Sequence, residues 1–132
     1  MNMTSSPLEP ATATAAPSIL IADDDHDFRE MVSQYAHHLG RTTWEATNGL
    51  EALWIVKHER PDVVLLDLRM PRVDGFETLR HIRKFDPSIR LVIVTGDGSH
   101  ETRHRVESLG LELLLKPVTL EALASLFAPR AV

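Results

Sequence analysis

Carboxylate, ammonium and hydroxyl side chains follow several apolar runs of this sequence, each at the point where a run ends. Asp23 and Asp24 follow the first run, Asp67 ends another, and Thr95 and Lys116 follow two more. Crowded carboxylates repel one another and resist ionisation unless a cation lies among them. Oxygen ligands favour a hard ion such as Mg²⁺, and an ammonium and a hydroxyl can bind phosphoryl oxygens. The residues therefore predict a site for Mg²⁺ and a phosphoryl group, provided that the fold brings them together.

The elements that must position these residues are short apolar runs alternating with amphipathic stretches. Strands are predicted at 18–22, 42–45, 62–67, 89–94 and 111–115, and helices at 25–39, 48–59, 75–85, 99–109 and 118–127. Apolar strands that alternate with helices predict an α/β fold with a parallel sheet covered on both faces. Right-handed crossovers make that fold doubly wound. Its ligand crevice lies at the carboxyl ends of the strands, where the candidate site residues stand.

Helical periodicity predicts which apolar side chains face the core. Phe28 and Met31 lie on the inner face of the first helix, and Leu120 on that of the last helix. Trp54, in the second helix, is interpreted as a packing residue. Asp25 is predicted to cap the first helix, since Asp often occupies the position before a helix.

Composition limits the classes of protein that the chain can belong to. Its 132 residues indicate one domain, and its net charge of −5 gives no basic field that would attract nucleic acid. It contains no cysteine, no apolar run as long as a membrane span and no signal-peptide pattern, so we expect it in the cytoplasm. Residues 1–17, rich in Ala, Thr, Ser and Pro, are predicted to be a disordered extension, residues 18–128 the folded domain and 129–132 a short tail.

Four segments resemble the receiver domain of two-component response regulators. They are ILIADDD at 19–25, LLDLRMPRVDG at 65–75, VIVTGDG at 92–98 and LLLKPV at 113–118. The resemblance covers nearly all of the chain from residue 18 to 127, with the four segments in order. It implies a flavodoxin-like (βα)₅ fold, with a five-stranded parallel sheet in the order 2-1-3-4-5.

The resemblance also implies a role for each site residue. Asp67 would take a phosphoryl group from a phosphohistidine donor, Lys116 would bind that group, and Thr95 would turn toward it. Asp24 would bind Mg²⁺ directly and Asp23 mainly through water. Asp67 and the backbone carbonyl of Arg69 would complete the set of metal ligands, and the peptide bond before Pro117 would be cis.

The sequence departs from the family pattern at Leu113. Receiver domains usually have Tyr or Phe three residues before the active-site lysine, and leucine offers neither a ring nor a hydroxyl. The usual coupling of Thr95 to an aromatic residue is therefore not expected here. Arg69 and Asp97 each lie two residues after a site residue. The sequence leaves two alternatives for them, an ion pair or two separate solvated charges.

The function predicted from these residues is that of a phosphoacceptor switch, not of an enzyme with a separate substrate. Its partners would be a histidine kinase or histidine phosphotransfer protein and a downstream protein target. The switching surface would be the fourth helix, fifth strand and fifth helix. Only APRAV follows the last predicted helix. A receiver fragment of a longer DNA-binding regulator and a phosphorylation-independent interaction module are the alternatives.

Overall fold

The computed structural model describes residues 16–129. Within this range the strands and helices alternate as predicted, with each element within one or two residues of its expected bounds. The strands are β1 (Ile19–Ala22), β2 (Thr43–Ala46), β3 (Val63–Leu66), β4 (Arg90–Thr95) and β5 (Glu112–Leu115). The helices are α1 (His26–His38), α2 (Gly49–Glu59), α3 (Gly75–Phe85), α4 (His100–Ser108) and α5 (Leu120–Phe127). Most of the predicted extension and tail lies outside the described residues.

The five described strands form one parallel sheet in the order β2-β1-β3-β4-β5, which confirms the predicted fold. Apolar side chains of the sheet pack into two cores, one on each face. α2, α3 and α4 contribute to one core, and α1 and α5 to the other. Since β1 and β3 contribute to both cores, their fully apolar sequences are explained by burial on both faces.

Polar side chains set the beginnings of the helices. The Asp25 carboxylate accepts hydrogen bonds from the backbone N–H groups of Asp27 and Phe28, so its predicted capping role is confirmed. Asn48, Asp74, Ser99 and Thr119 cap the other four helices in the same way. These caps satisfy N–H groups that have no partner within a helix. Each of the five described helices therefore begins at a defined residue, in the loop after the carboxyl end of a strand.

The loop between β3 and α3 passes unusually close to the start of α3. A Cβ atom at Gly75 would lie 2.6 Å from the Cα and the carbonyl oxygen of Leu68. Only glycine leaves room for that approach, because the obstructing atoms belong to the backbone. Gly75 thus allows the backbone that follows Asp67 to pack against the start of α3.

Two packing roles that were predicted for residues of α2 and α5 were wrong. Trp54 is 57% exposed and Leu120 is 54% exposed. Trp54 lies two residues from both Ala52 and Val56, two of the buried positions of α2, so it faces away from the core. Its ring stacks instead on His58, with 4.0 Å between ring centroids. Leu120 opens the first turn of α5, ahead of the buried Leu123.

None of the helices within residues 16–129 combines the length and the apolar character that crossing a membrane requires.

Candidate functional site

The carboxyl ends of β1 and β3 place two buried carboxylates side by side. Asp23 follows β1 and Asp67 follows β3, and the two strands pair in parallel, with Ala22 opposite Leu66. The Asp67 N–H donates to the Ala22 carbonyl at 2.9 Å, which continues the strand ladder by one residue. The predicted neighbours are therefore neighbours in space, because equal register brings both strand ends to one edge.

Lys116 follows the edge strand β5, and its side chain reaches the two carboxylates. Its Nζ lies 2.7 Å from Oδ2 of Asp23 and 3.6 Å from Oδ2 of Asp67. The same ammonium sits 4.5 Å from the ring centroid of Phe28, an attractive cation–π distance. The Lys116–Pro117 peptide bond is cis, as the sequence predicted.

Burial and charge act against each other in these side chains. Burial raises the pKa of Asp23 above its usual value, and the nearby Lys116 ammonium only partly offsets this. Burial also lowers the pKa of Lys116, but its attraction to Asp23 and then Asp67 outweighs burial and raises that pKa overall. The Lys116 ammonium therefore stays charged, whereas ionisation of the buried Asp23 carboxylate is less favourable than it would be in water.

The site contains a set of oxygen atoms that suits a divalent cation. Asp23, Asp24 and Asp67 each offer a carboxylate oxygen within 4.8 Å of the other two. Within residues 16–129, Oδ2 of buried Asp23 receives no hydrogen bond of normal angular geometry, although the Lys116 ammonium lies near it. Lys116 alone cannot neutralise three carboxylates. A hard cation such as Mg²⁺ prefers oxygen ligands and would supply the positive charge that the carboxylates still lack.

Thr95 ends β4 and is fully buried beside the site. Its carbonyl accepts from the Lys116 N–H at 2.9 Å, which ties the strand ends together. Its hydroxyl oxygen accepts from the Asp97 N–H at 3.2 Å. The hydroxyl is thus held by the loop between β4 and α4, and the Thr95 backbone is bonded to that of Lys116 although the two lie far apart in the sequence.

Arg69 lies in the loop after β3, where its N–H donates to Oδ1 of Asp67 at 3.0 Å. Its guanidinium Nη2 is 3.3 Å from Oδ2 of Asp97. Of the two possibilities that the sequence left open, the structure therefore shows the ion pair. The hydrogen bonds from the Thr102 hydroxyl and the Ser99 N–H hold the pKa of Asp97 well below its usual range.

Two residues that support the site were not predicted. Phe28 lies under the Lys116 ammonium. Arg29 donates to the Asp23 carbonyl at 2.8 Å and pairs with Glu45 at 3.1 Å. Helical periodicity marks Phe28 as an inner residue, but it gives no sign of its cation partner. The pairing of Arg29 with Glu45 joins α1 to β2, which no local pattern in the sequence reveals.

A groove of about 460 Å³ opens beside Lys116, between α1 and the turn that follows β5. Phe28 and Met31 contribute apolar surface, and Asp25 and Asp27 contribute charge at its rim. Met31 was predicted to face the core but lies partly exposed in this groove. The groove is therefore an open surface that reaches Lys116 at the edge of the site.

Comparison with known proteins agrees with this geometry. Residues 19–128 match the family model described as the response regulator receiver domain. Sporulation initiation phosphotransferase F of Bacillus subtilis is 38% identical over 104 residues, which cover 78% of this chain and 84% of that protein. The sensor protein EvgS of Escherichia coli is 35% identical over 116 residues, 87% of this chain but 10% of EvgS. The chain thus spans most of the first relative and a small part of the second.

A solved structure shows the same fold. The CheY-like response regulator receiver domain protein from Methanospirillum hungatei superposes with a TM-score of 0.78 at 27% identity, covering 84% of this chain and 90% of that one. The chain belongs to the response regulator receiver domain family. It is a receiver domain, homologous to the phosphoacceptor domains of response regulators and phosphotransferases.

Proposed function

We propose that Asp67 is the phosphoacceptor of this receiver domain and takes its phosphoryl group from a phosphohistidine donor. The observation that carries the proposal is the position of the Asp67 carboxylate. It lies beside Asp23 and Asp24, with the Lys116 ammonium 3.6 Å from its Oδ2. A carboxylate oxygen of Asp67 would bond to phosphorus as the phosphorus–nitrogen bond of the donor breaks. The leaving imidazole keeps the electron pair and takes up a proton.

The remaining charge at the site determines the roles of its other residues. Lys116 is a fixed point charge that would bind one phosphoryl oxygen, since its raised pKa keeps it protonated. The Thr95 hydroxyl would turn to donate to another oxygen. Asp23, Asp24, Asp67 and the Arg69 carbonyl would hold Mg²⁺. When bound, the ion supplies positive charge that offsets the carboxylates and the phosphoryl oxygens.

The groove beside Lys116 is the surface where we propose that the donor protein docks. Its lining includes Lys116, which lies 3.6 Å from Oδ2 of Asp67, and it combines apolar and acidic side chains. The donor would be a histidine kinase or a histidine phosphotransfer protein. This fits the relatives, which are named as a phosphotransferase and as sensor proteins. The downstream partner would be a protein that binds α4, β5 and α5.

On this proposal the chain acts in the cytoplasm as a switch, and its own catalysis is limited to its phosphotransfer and dephosphorylation. The folded unit would comprise residues 18–128, in agreement with the family match to residues 19–128. A net charge of −5 argues against direct binding of nucleic acid by this domain.

Intact-mass measurement after incubation with a small phosphodonor and Mg²⁺ tests the acceptor. We expect one added phosphoryl group on the wild type and none on Asp67→Asn. Asp62→Asn is the matched control, because Asp62 is exposed at the opposite end of the same strand and should leave the adduct unchanged. An adduct on folded Asp67→Asn, or none on the wild type even with a cognate kinase, contradicts the proposal.

A further inference from the structure

Asp97 connects the site with the first turn of α4. Its Oδ2 accepts from the Thr102 hydroxyl at 2.6 Å, and its Oδ1 accepts from the Ser99 N–H at 3.0 Å. On the other side, its N–H donates to the Thr95 hydroxyl oxygen at 3.2 Å, and its carboxylate pairs with Arg69 at 3.3 Å. One residue therefore contacts both the helix and two groups of the site.

The two sets of contacts respond differently to a phosphoryl group on Asp67. Thr102 and Ser99 are neutral, and their hydrogen bonds to the Asp97 carboxylate do not involve Arg69. Arg69 and Thr95 are a cation and a hydroxyl, the two kinds of group that a phosphoryl dianion attracts. Phosphorylation would thus act on the site-side contacts of Asp97 and leave its helix-side contacts intact.

Arg69 is free to change partners. Its side chain is 73% exposed, whereas that of Asp97 is 23% exposed, so the guanidinium is the mobile member of the pair. An exposed ion pair is weak because water screens it. A phosphoryl group carries a charge of about −1.5 to −2 and binds the fork of a guanidinium well. The Arg69 N–H already contacts Asp67, which keeps the guanidinium within a side chain's length of that group.

The helix that Asp97 holds is the one best placed to respond. Within the described residues, Val106 is the only buried side chain of α4. Leu113, on the neighbouring β5, is aliphatic and partly buried, so it offers no hydroxyl or ring through which Thr95 could act. Within the described residues, polar contacts from the site to this helix pass through Asp97.

We propose that Arg69 is a positioning residue that leaves Asp97 for the phosphoryl group on Asp67, and that Asp97 thereby passes the signal to the first turn of α4. The proposal rests on the proposed role of Asp67. In the unmodified protein, Arg69 and Thr95 hold Asp97, and with it Thr102 and Ser99. Once both turn toward the phosphoryl group, the start of α4 loses its connection to the site and shifts its population of conformations.

The test uses the whole protein with beryllofluoride and Mg²⁺ as a non-covalent analogue of the phosphoryl group. Fluorine NMR measures how much analogue is bound, and amide hydrogen exchange at Thr102 and Arg103 measures the response of α4. In the wild type, we expect binding to change the exchange rates by about fivefold or more, a usual coupling between two sites. Arg69→Gln should bind the analogue and change the exchange rates by less than about twofold.

Two further variants separate this relay from a general loss of structure. Arg60→Gln breaks the Arg60–Asp86 pair, which has a similar length of 3.4 Å but lies away from the site, and it should respond like the wild type. Asp97→Asn should lose the response as Arg69→Gln does. The double variant should lose no more than either single variant, because both act on one contact.

The outcomes distinguish the two proposals. If the wild type binds no analogue, the proposed role of Asp67 fails, and the relay fails with it. If the wild type binds the analogue and α4 does not respond, the relay alone is contradicted. A full response of α4 in Arg69→Gln with bound analogue also overturns it.

Discussion

β3 and α3 bury far more of their surface than β5 and α4 do. All residues of β3 are buried, whereas β5 has one exposed residue and three that are partly buried. α3 buries Phe76, Leu79 and Ile82, whereas α4, within the described residues, buries Val106 alone. β3 and α3 are therefore held by a continuous core, whereas β5 and α4 lie at its edge and are less completely buried.

The difference matches the two tasks of a receiver domain. Phosphoryl transfer depends on a carboxylate held in one position, which the buried end of β3 provides. A switch needs an element whose conformations differ little in free energy, and such elements come from the less stable parts of a fold. On the proposed function, weak packing of α4 is thus the physical condition for switching.

The largest change in the free energy of unfolding is expected when buried side chains of α3 and α4 are shortened. Leu79→Ala, in α3, should lower the free energy of unfolding by about 2–5 kcal/mol, because it leaves a cavity in a fully buried site. Val106→Ala, in α4, should cost about 1.5 kcal/mol, from two buried methyl groups at about 0.8 kcal/mol each. Urea denaturation measures both. Equal losses would break the comparison.

Mg²⁺ should stabilise the folded protein by binding among the carboxylates that follow β1 and β3. At a Mg²⁺ concentration 100-fold above the dissociation constant, the free energy of unfolding should rise by about 2.7 kcal/mol. Asp23→Asn should show a smaller rise, because a buried ligand has lost its charge. Asp62→Asn, remote from the site, should keep the full rise. An equal rise in Asp23→Asn would exclude Asp23 from the metal site.

The pH dependence of stability without Mg²⁺ gives a further measure of the strain at Asp23. Burial raises its folded pKa above the ordinary value of 3.8, so the native state binds this proton more tightly than the unfolded chain does. The contribution of Asp23 to stability is therefore largest below 3.8 and falls as pH rises through the raised pKa. Subtracting the urea stability profile of Asp23→Asn from that of the wild type should show this downward slope. A flat difference would contradict it.

The smallest effect is expected at the pair that joins β4 to β5. Arg90 donates to both carboxylate oxygens of Glu112, at 2.7 and 2.8 Å, and thereby lowers the pKa of Glu112. Because the pair is well exposed, Arg90→Gln should cost only about 0.5–1 kcal/mol at neutral pH. That cost should fade as pH drops through the lowered pKa of Glu112, and also in high salt. A loss above that of Val106→Ala would show that this edge depends on charge rather than on packing.

Local patterns in the sequence were enough to predict the elements of this fold. Strands such as β3 were found because continuous apolar runs are typical of doubly buried strands, and Asp25 marked the beginning of α1 because Asp often caps a helix. The same patterns misplaced Trp54 and Leu120, since apolar character does not reveal which side of a helix meets the sheet. That choice depends on how neighbouring helices pack.

The sequence by itself determined that carboxylates, a hydroxyl and a lysine end successive strands, and parallel strands carry such ends to one edge. The tertiary structure alone decided how those groups pair. It set Lys116 closer to Asp23 than to Asp67, placed Phe28 beneath the ammonium and joined Arg69 to Asp97. Such pairings depend on distances between loops far apart in the chain, and spacing along a sequence does not determine them.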